Sequence, residues 1–267
     1  MAILMAVAVL FAGRPAAAQQ ALLRYTAQQL DCARFLEIGE SRIVTQTEGR
    51  TRRQTSVRRG TWQFRATPSD SGAVLEGWLD SLTITRRSEE AAISPDTDGL
   101  LGGRYRGTLS PRGDYTPLAH PFVPDEVAEV AGMAPALDDF FPRLAGRPLG
   151  VGELWTDSAG LTISRLTDSA MSGVPLHRFE VERRAEAQAA PSVVDTVPIE
   201  LEQKSVERGQ FVWHPVIGLV RRSRTIVVET TVPASRTVRQ TVRSKVEQRI
   251  TLTRSLGPSS CSRSGGR

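Results

Sequence analysis

The strongest constraint on the fold lies near the C-terminal end of this 267-residue chain. Over residues 238–252 the even positions read Val238, Gln240, Val242, Ser244, Val246, Gln248, Ile250 and Leu252. The odd positions read Arg239, Thr241, Arg243, Lys245, Glu247, Arg249 and Thr251. Alternation of this length describes a strand with one buried and one wet face. Valines four apart also fit a helical stripe, but β-branched side chains are stiff at χ1 and suit a pleated surface better. At about 3.3 Å per residue the strand reaches roughly 50 Å. A strand that long must twist, which favours a wide bent sheet or a partly closed barrel over a flat one.

Other segments repeat the pattern. Residues 34–47 alternate on either side of Gly39, where a bulge is expected to switch faces. Residues 51–65 put Arg53, Thr55, Arg59, Gln63 and Arg65 on one face, and residues 174–186 put His177, Phe179 and Val181 together. Val193, Val197, Ile199 and Leu201 share a face, and Pro198 among them implies an edge strand or irregular pairing. Three stretches, starting at Arg59, Gly103 and Arg208, each read strand, proline, glycine, strand. In the second, Ser110, Pro111, Arg112 and Gly113 match the preferences of a type I turn. In the third, His214 stands at the turn entrance, so it reads as turn chemistry and not as a catalytic group.

The middle of the chain differs. Pro124, Asp125 and Glu126 look like a helix start, with a proline in the first turn and acids near its positive end. Gly132 and Pro135 are expected to divide this region into short helices near 125–133 and 135–142, closed by the apolar plug Phe140 and Phe141. Long loops are expected over 88–103 and around 189–191. The expected fold is mainly β: a large curved antiparallel sheet, half-barrel-like, with one or two short helices packed on its concave face. It forms a single domain over 19–256, followed by a flexible Gly/Ser-rich tail at 257–267.

Residues 1–18 read as a secretory signal peptide: an apolar run from Ile3 to Phe11, then Ala16, Ala17 and Ala18 before Gln19. The run is too short to span a bilayer, so no transmembrane segment is expected after cleavage. The expected location is periplasmic or secreted. In an oxidising compartment the two cysteines, Cys32 and Cys261, form a candidate disulfide closing a very long loop. In the chain-entropy model such a bridge is worth roughly 4–5 kcal/mol at most. The net charge of +5 comes from 34 basic residues, all arginine except Lys204 and Lys245. In an exported chain this bias argues against nucleic acid as a partner and leaves an attraction to anionic envelope components.

No motif announces chemistry. His120, His177 and His214 are far apart, without HxH or HExxH spacing, so no metal or cofactor is expected. Neither GxSxG nor GxxxxGK[ST] occurs. The acid pairs Asp138–Asp139 and Glu89–Glu90 read as solvated surface. No catalytic residue is assigned and no enzyme is expected. The tryptophans Trp62, Trp78, Trp155 and Trp213 either fill the core or line a ligand cavity. The binding reading puts Trp62, Trp155, Phe140 and Phe141 at the border of a cavity of several hundred Å³ holding an apolar, lipid-like ligand or a partner. The alternative is a structural or interaction module of the cell envelope, with arginine-rich faces meeting anionic polymers or a protein.

Residues 141–157, FPRLAGRPLGVGELWTD, carry a resemblance through Phe141, Pro142, Leu144, Val151, Gly152 and Trp155, joined by Ser110, Pro111 and Gly113 of the hairpin. This pattern resembles an uncharacterised family of exported bacterial β-rich proteins, a domain of unknown function. The arrangement of long strands around a short helical insert is similar, at the level of fold, to the half-barrels of periplasmic lipoprotein carriers. The resemblance implies lipid binding and carries over no catalytic residue.

Overall fold

The computed structural model describes residues 22–128, 133, 135–194, 197–234 and 240–256, with backbone alone over 187–194 and 197–200. The expected leader, the tail and Cys261 lie outside these residues. In chain order the elements are α1 (Ala27–Leu30), β1 (Arg34–Thr47), β2 (Arg50–Ser69), β3 (Gly72–Ser88), β4 (Ala92–Ile93), β5 (Tyr105–Leu109), β6 (Tyr115–Ala119), α2 (Asp125–Ala128), β7 (Leu154–Thr156), β8 (Leu161–Met171), β9 (Val174–Val194), β10 (Val197–His214), β11 (Gly218–Val232) and β12 (Val242–Arg254). The strands form one antiparallel sheet in the order β6-β5-β3-β2-β1-β12-β11-β10-β9-β8-β7, with β4 on β3. The sheet does not close into a barrel. Among the described residues no helix is long and apolar enough to cross a membrane.

Most neighbours in this sheet are joined by hairpins. The exception that matters is the centre, where β1 pairs with β12 and so ties the start of the fold to its end. The long alternation read from the sequence is β12 from Val242 on, residues 238 and 239 lying outside the described residues, and its register against β1 runs without a break from Phe35↔Arg254 to Gln46↔Arg243. The expected bulge at Gly39 is absent: β1 also pairs continuously with β2, from Arg34↔Gln63 to Thr47↔Arg50. Gly39 instead leaves the inner face bare, and the Arg58 side chain lies across it. The loop expected around 189–191 is also overturned, because β9 runs on to Val194. Among the described residues Pro198 sits where β10 has only β9 beside it, just before a register irregularity between Leu201 and Gln203. That is the placement expected of a proline within a sheet.

Two of the three hairpins form as the turn residues dictate. In the β5–β6 turn the Ser110 hydroxyl oxygen accepts from the backbone N–H groups of Arg112 and Asp114. Gly113 takes φ 91° there, and a Cβ would come 2.6 Å from the Pro142 carbonyl oxygen, so only glycine fits. In the β10–β11 turn His214 Nδ1 accepts from the N–H groups of Val216 and Ile217, at 3.1 and 3.3 Å. His214 is therefore a turn cap. The β2–β3 turn falls one step later than its proline suggests, since Pro68 lies inside β2 and pairs with Ala73.

The core sits on one face of the sheet, called here the inner face, under the segment 135–149. Of the two expected helices only α2 forms. Past it the chain makes successive i→i+3 turns: Ala136 N–H to Met133 O, Asp138 N–H to Pro135 O and Phe140 N–H to Leu137 O. The chain winds into tight turns in place of an α-helix. These turns aim Leu137, Phe140, Phe141 and Leu144 at the sheet, all of them buried. The Phe140 ring lies edge-on to Phe35, Trp62 and Phe64, with centroids 5.5, 5.8 and 5.1 Å away. Phe141 meets Tyr25, which in turn meets Trp213. Such edge-to-face pairs add about 0.5–1.5 kcal/mol each beyond the area they bury.

Phe140 is therefore the keystone of the covered half. Phe140→Ala should cost about 3–5 kcal/mol, read as a lower urea midpoint. Phe122→Ala should change stability by less than about 0.5 kcal/mol, because Phe122 is 82% exposed.

Candidate functional site

The insert covers only part of the inner face, and a belt of charged groups marks where the cover stops. Glu37, 3% exposed, accepts from Trp62 Nε1 at 2.6 Å and from Arg58 Nη2. Further across the sheet Glu207 faces Arg222, Arg224 and Arg183, at 3.4, 3.6 and 4.0 Å. Arg222 also donates to the carbonyl oxygens of Asp139 and Phe140, which fastens the insert to β11. Burial, with Arg224 beside it, pushes the Arg222 guanidinium down to about 10. The Asp138 carboxyl is raised by burial and by neighbouring Asp139, against an opposing pull from His120. Asp138 and Asp139 stay exposed, as expected, but Asp139 also faces Arg224 at 3.5 Å.

Arg143 ties the two ends of the open sheet together. Its guanidinium meets Asp114 in the β5–β6 turn at 2.7 Å and Asp157 in the β7–β8 turn at 2.8 Å. Burial disfavours the ionised form of Asp157. The N–H groups of Leu161 and Ala159 and the Arg143 guanidinium outweigh it and hold the carboxyl below its ordinary value.

Beyond the belt the two faces of the sheet diverge in chemistry. Cross-strand pairing sets Gln54, Ile43, Val246, Val228, Ser205 and Ala185 in one row on the inner face. The next row toward the strand ends is Arg52, Thr45, Ser244, Thr230 and Gln203. The row nearer the belt is Ser56, Ser41, Gln248 and Ile226, ending at Glu207. Past Glu207, the described strand residues of this face include no carboxylate, and their charges are Arg50, Arg52 and Arg86 at the β2–β3 corner. The outward positions in the same strands carry both signs: Glu40, Arg42, Arg53, Arg59, Lys204, Glu229, Arg243, Lys245, Glu247 and Arg249. They pair along the surface, as Lys245 does with Glu229 and Arg249 with Glu247, both at 2.8 Å.

Two hollows open on the inner face. One, of about 490 Å³, runs between residues 135–139 of the insert and Ser41, Ile43, Gln54, Ser56, Gln248 and Ile250. The other, of about 400 Å³, is lined by Ile43, Thr45, Gln54, Arg52, Arg53 and Arg86 together with Glu89 and Glu90. A groove of about 440 Å³ on the outer face is lined by Arg42, Arg243, Lys245, Glu229 and Glu247, the mixture of a wet surface.

The aromatic residues expected to border a cavity lie elsewhere. Trp62, Phe140 and Phe141 are 0%, 3% and 4% exposed and fill the core against one another. Phe141 alone touches a hollow, a polar one of about 220 Å³. Trp155 is half-buried on β7 with the Arg112 guanidinium 5.3 Å from its ring centre. Large rings that interlock edge to face consume the space a ligand would need, so the open volume falls further along the strands. Ile43 lines both hollows, and Val246 and Val228 continue its row across the sheet; the signal for them was the parity of the charges between them.

The structure also gathers an acid, a histidine and an arginine. His177 Nδ1 lies 3.1 Å from both Asp168 Oδ2 and Arg165 Nη2. Arg165 is 2% exposed and donates to both Asp168 oxygens and to the Leu149 carbonyl. This cluster neutralises a buried guanidinium and holds the loop at Leu149. Among the described residues no group of three or more His, Cys, Asp or Glu side chains is placed to hold a metal ion. Cys32 occupies a left-handed turn position, φ 60°, between α1 and β1; its expected partner Cys261 falls outside the described residues.

No family model matches this chain, and no curated protein matches it.

The depressed Asp157 carboxyl contributes stability above its unfolded value, about 3.9, and that contribution fades as pH falls through its lower folded value. Asp157→Asn should therefore lower stability near neutral pH and shrink the gap to wild type as pH falls toward 2. Thermal melts across that range read both effects.

Proposed function

We propose that this chain is an exported, non-catalytic binding protein that holds an elongated apolar or amphipathic molecule on the uncovered half of its inner face. The observation that carries the reading is the segregation of charge. A sheet face that meets water ordinarily intersperses both signs, as the outward face here does. The inner face beyond the belt has none of that character: its central row is aliphatic at Ile43, Val246 and Val228, and small hydroxyl and amide groups surround it. A contiguous surface of this kind, rimmed by polar groups, is the composition of a ligand site and is costly to leave wet. The hollows of about 490 and 400 Å³ lie on this face.

The competing reading, an envelope-interaction module working through outward arginines, is weaker on the same ground. Arg42, Arg243 and Arg249 alternate with Glu40, Glu229 and Glu247, which cancel much of their field. Export rests on the apolar leader at 1–18 and agrees with a Cys32–Cys261 bridge in an oxidising compartment.

Native mass spectrometry of protein purified from its own envelope, followed by lipid extraction, tests the reading. The expected result is a mass excess that disappears on extraction and is recovered as a long-chain molecule. A bare monomer from mild isolation would count against it. The same spectra before and after thiol alkylation report the cysteine bridge, since a bridged chain takes up no reagent.

A further inference from the structure

The inner face is not uniform, and its one charged corner identifies the head of the ligand. The aliphatic row and its polar continuation cross from β2 to β9, five strand spacings or about 24 Å. At the β2 end of this path Arg52 stands beside Thr45 in the neighbouring strand, one row beyond Ile43 and Gln54. Ile43, Thr45, Gln54, Arg52 and Arg86 line one hollow of about 400 Å³. The other end of the path finishes at Ser205 and Ala185, uncharged. Arg53, Glu89 and Glu90 line the same hollow, and Glu89 lies 3.9 Å from Arg53.

We infer that the bound molecule is a single-chain amphiphile with an anionic head, seated with its head at Arg52 and its chain along Ile43, Val246 and Val228. The inference rests on the binding reading above. A guanidinium presents a planar fork of donors that suits a carboxylate or a phosphate and remains charged at any physiological pH. Thr45 and Gln54 add a hydroxyl and an amide within the same hollow. Three guanidinium groups, Arg52, Arg53 and Arg86, outnumber the two carboxylates of this hollow, Glu89 and Glu90, and Glu89 already faces Arg53. The polarity is fixed by the sheet: cation at one end, aliphatic residues in the middle, small neutral residues at the other end.

Calorimetry with dodecanoate and with its uncharged glycerol ester, both below their micelle concentrations, separates the two levels of the claim. The wild type should bind both, and dodecanoate more tightly. Arg52→Gln should weaken dodecanoate roughly five- to tenfold, the loss of one charge-assisted contact, and leave the ester unchanged. Arg59→Gln, on the outward face of the same strand and outside the hollow, should affect neither. Arg52 is exposed, so its variant should fold as the wild type does, checked by its melting temperature. If both probes bind and Arg52→Gln leaves dodecanoate unchanged, the head-group assignment is wrong while the binding face stands. If neither probe binds the wild type, the binding reading falls and takes this inference with it.

Discussion

Everything in this fold depends on how one face of a long antiparallel sheet is kept from water. The pairing of β12 with β1 fixes the parity of the central strands, so Phe35, Glu37 and Gly39 share a face with Leu252 and Ile250. A slip of one residue would turn every one of these side chains to the other side. With the register set, the inner face needs a cover, and residues 137–144 provide one for half of it. Phe140 and Phe141 supply bulk in a short length of chain, and their ring contacts reach the core side chains of β1 and β2. The strands, however, run well past the insert. The second half of the inner face keeps the apolar and small polar character of a covered surface without any segment of the described chain to cover it.

The belt at the boundary explains how a half-covered sheet holds its shape. Buried ion pairs contribute little net stability over apolar packing, but they fix geometry, because breaking one strands an uncompensated charge. Glu37 with Arg58, and Glu207 with Arg222, place the edge of the insert at one row of the sheet. Arg143 performs the same service between the β5–β6 and β7–β8 turns, and so bridges the ends of a sheet that does not close. Charge is thus concentrated at the seam and on the outward face and is withdrawn from the uncovered inner rows.

The fold was largely legible in the sequence because period-two alternation is a local signal. β1 and β12 could be read from their β-branched residues, and the hairpin turns from Ser110, Gly113 and His214. What failed was whatever depended on three-dimensional competition. Gly39 looked like a bulge because a glycine in a strand often is one, yet here it accommodates Arg58. Residues 135–142 looked helical by spacing, but they form tight turns that bring both bulky rings onto the sheet. The placement of the expected aromatic residues differs for a related reason. Aromatic side chains are conspicuous in a sequence, and Trp62 and Phe140 were expected to border a cavity; in the fold they pack against each other and close it. Ile43, Val228 and Val246 are unremarkable singly, and their meaning appears only when the register shows that the described strand residues past Glu207 on their face include no acid.

That contrast between adjacent residues offers the sharpest test of the account. Ile43 and Val44, and likewise Val227 and Val228, are chain neighbours on opposite faces. Methyl NMR spectra recorded during titration with dodecanoate would follow all of them at once. The account predicts saturable shifts at Ile43, Val228 and Val246, with Val44 and Val227 nearly still. Equal shifts on both faces, or shifts confined to Val44 and Val227, would contradict it.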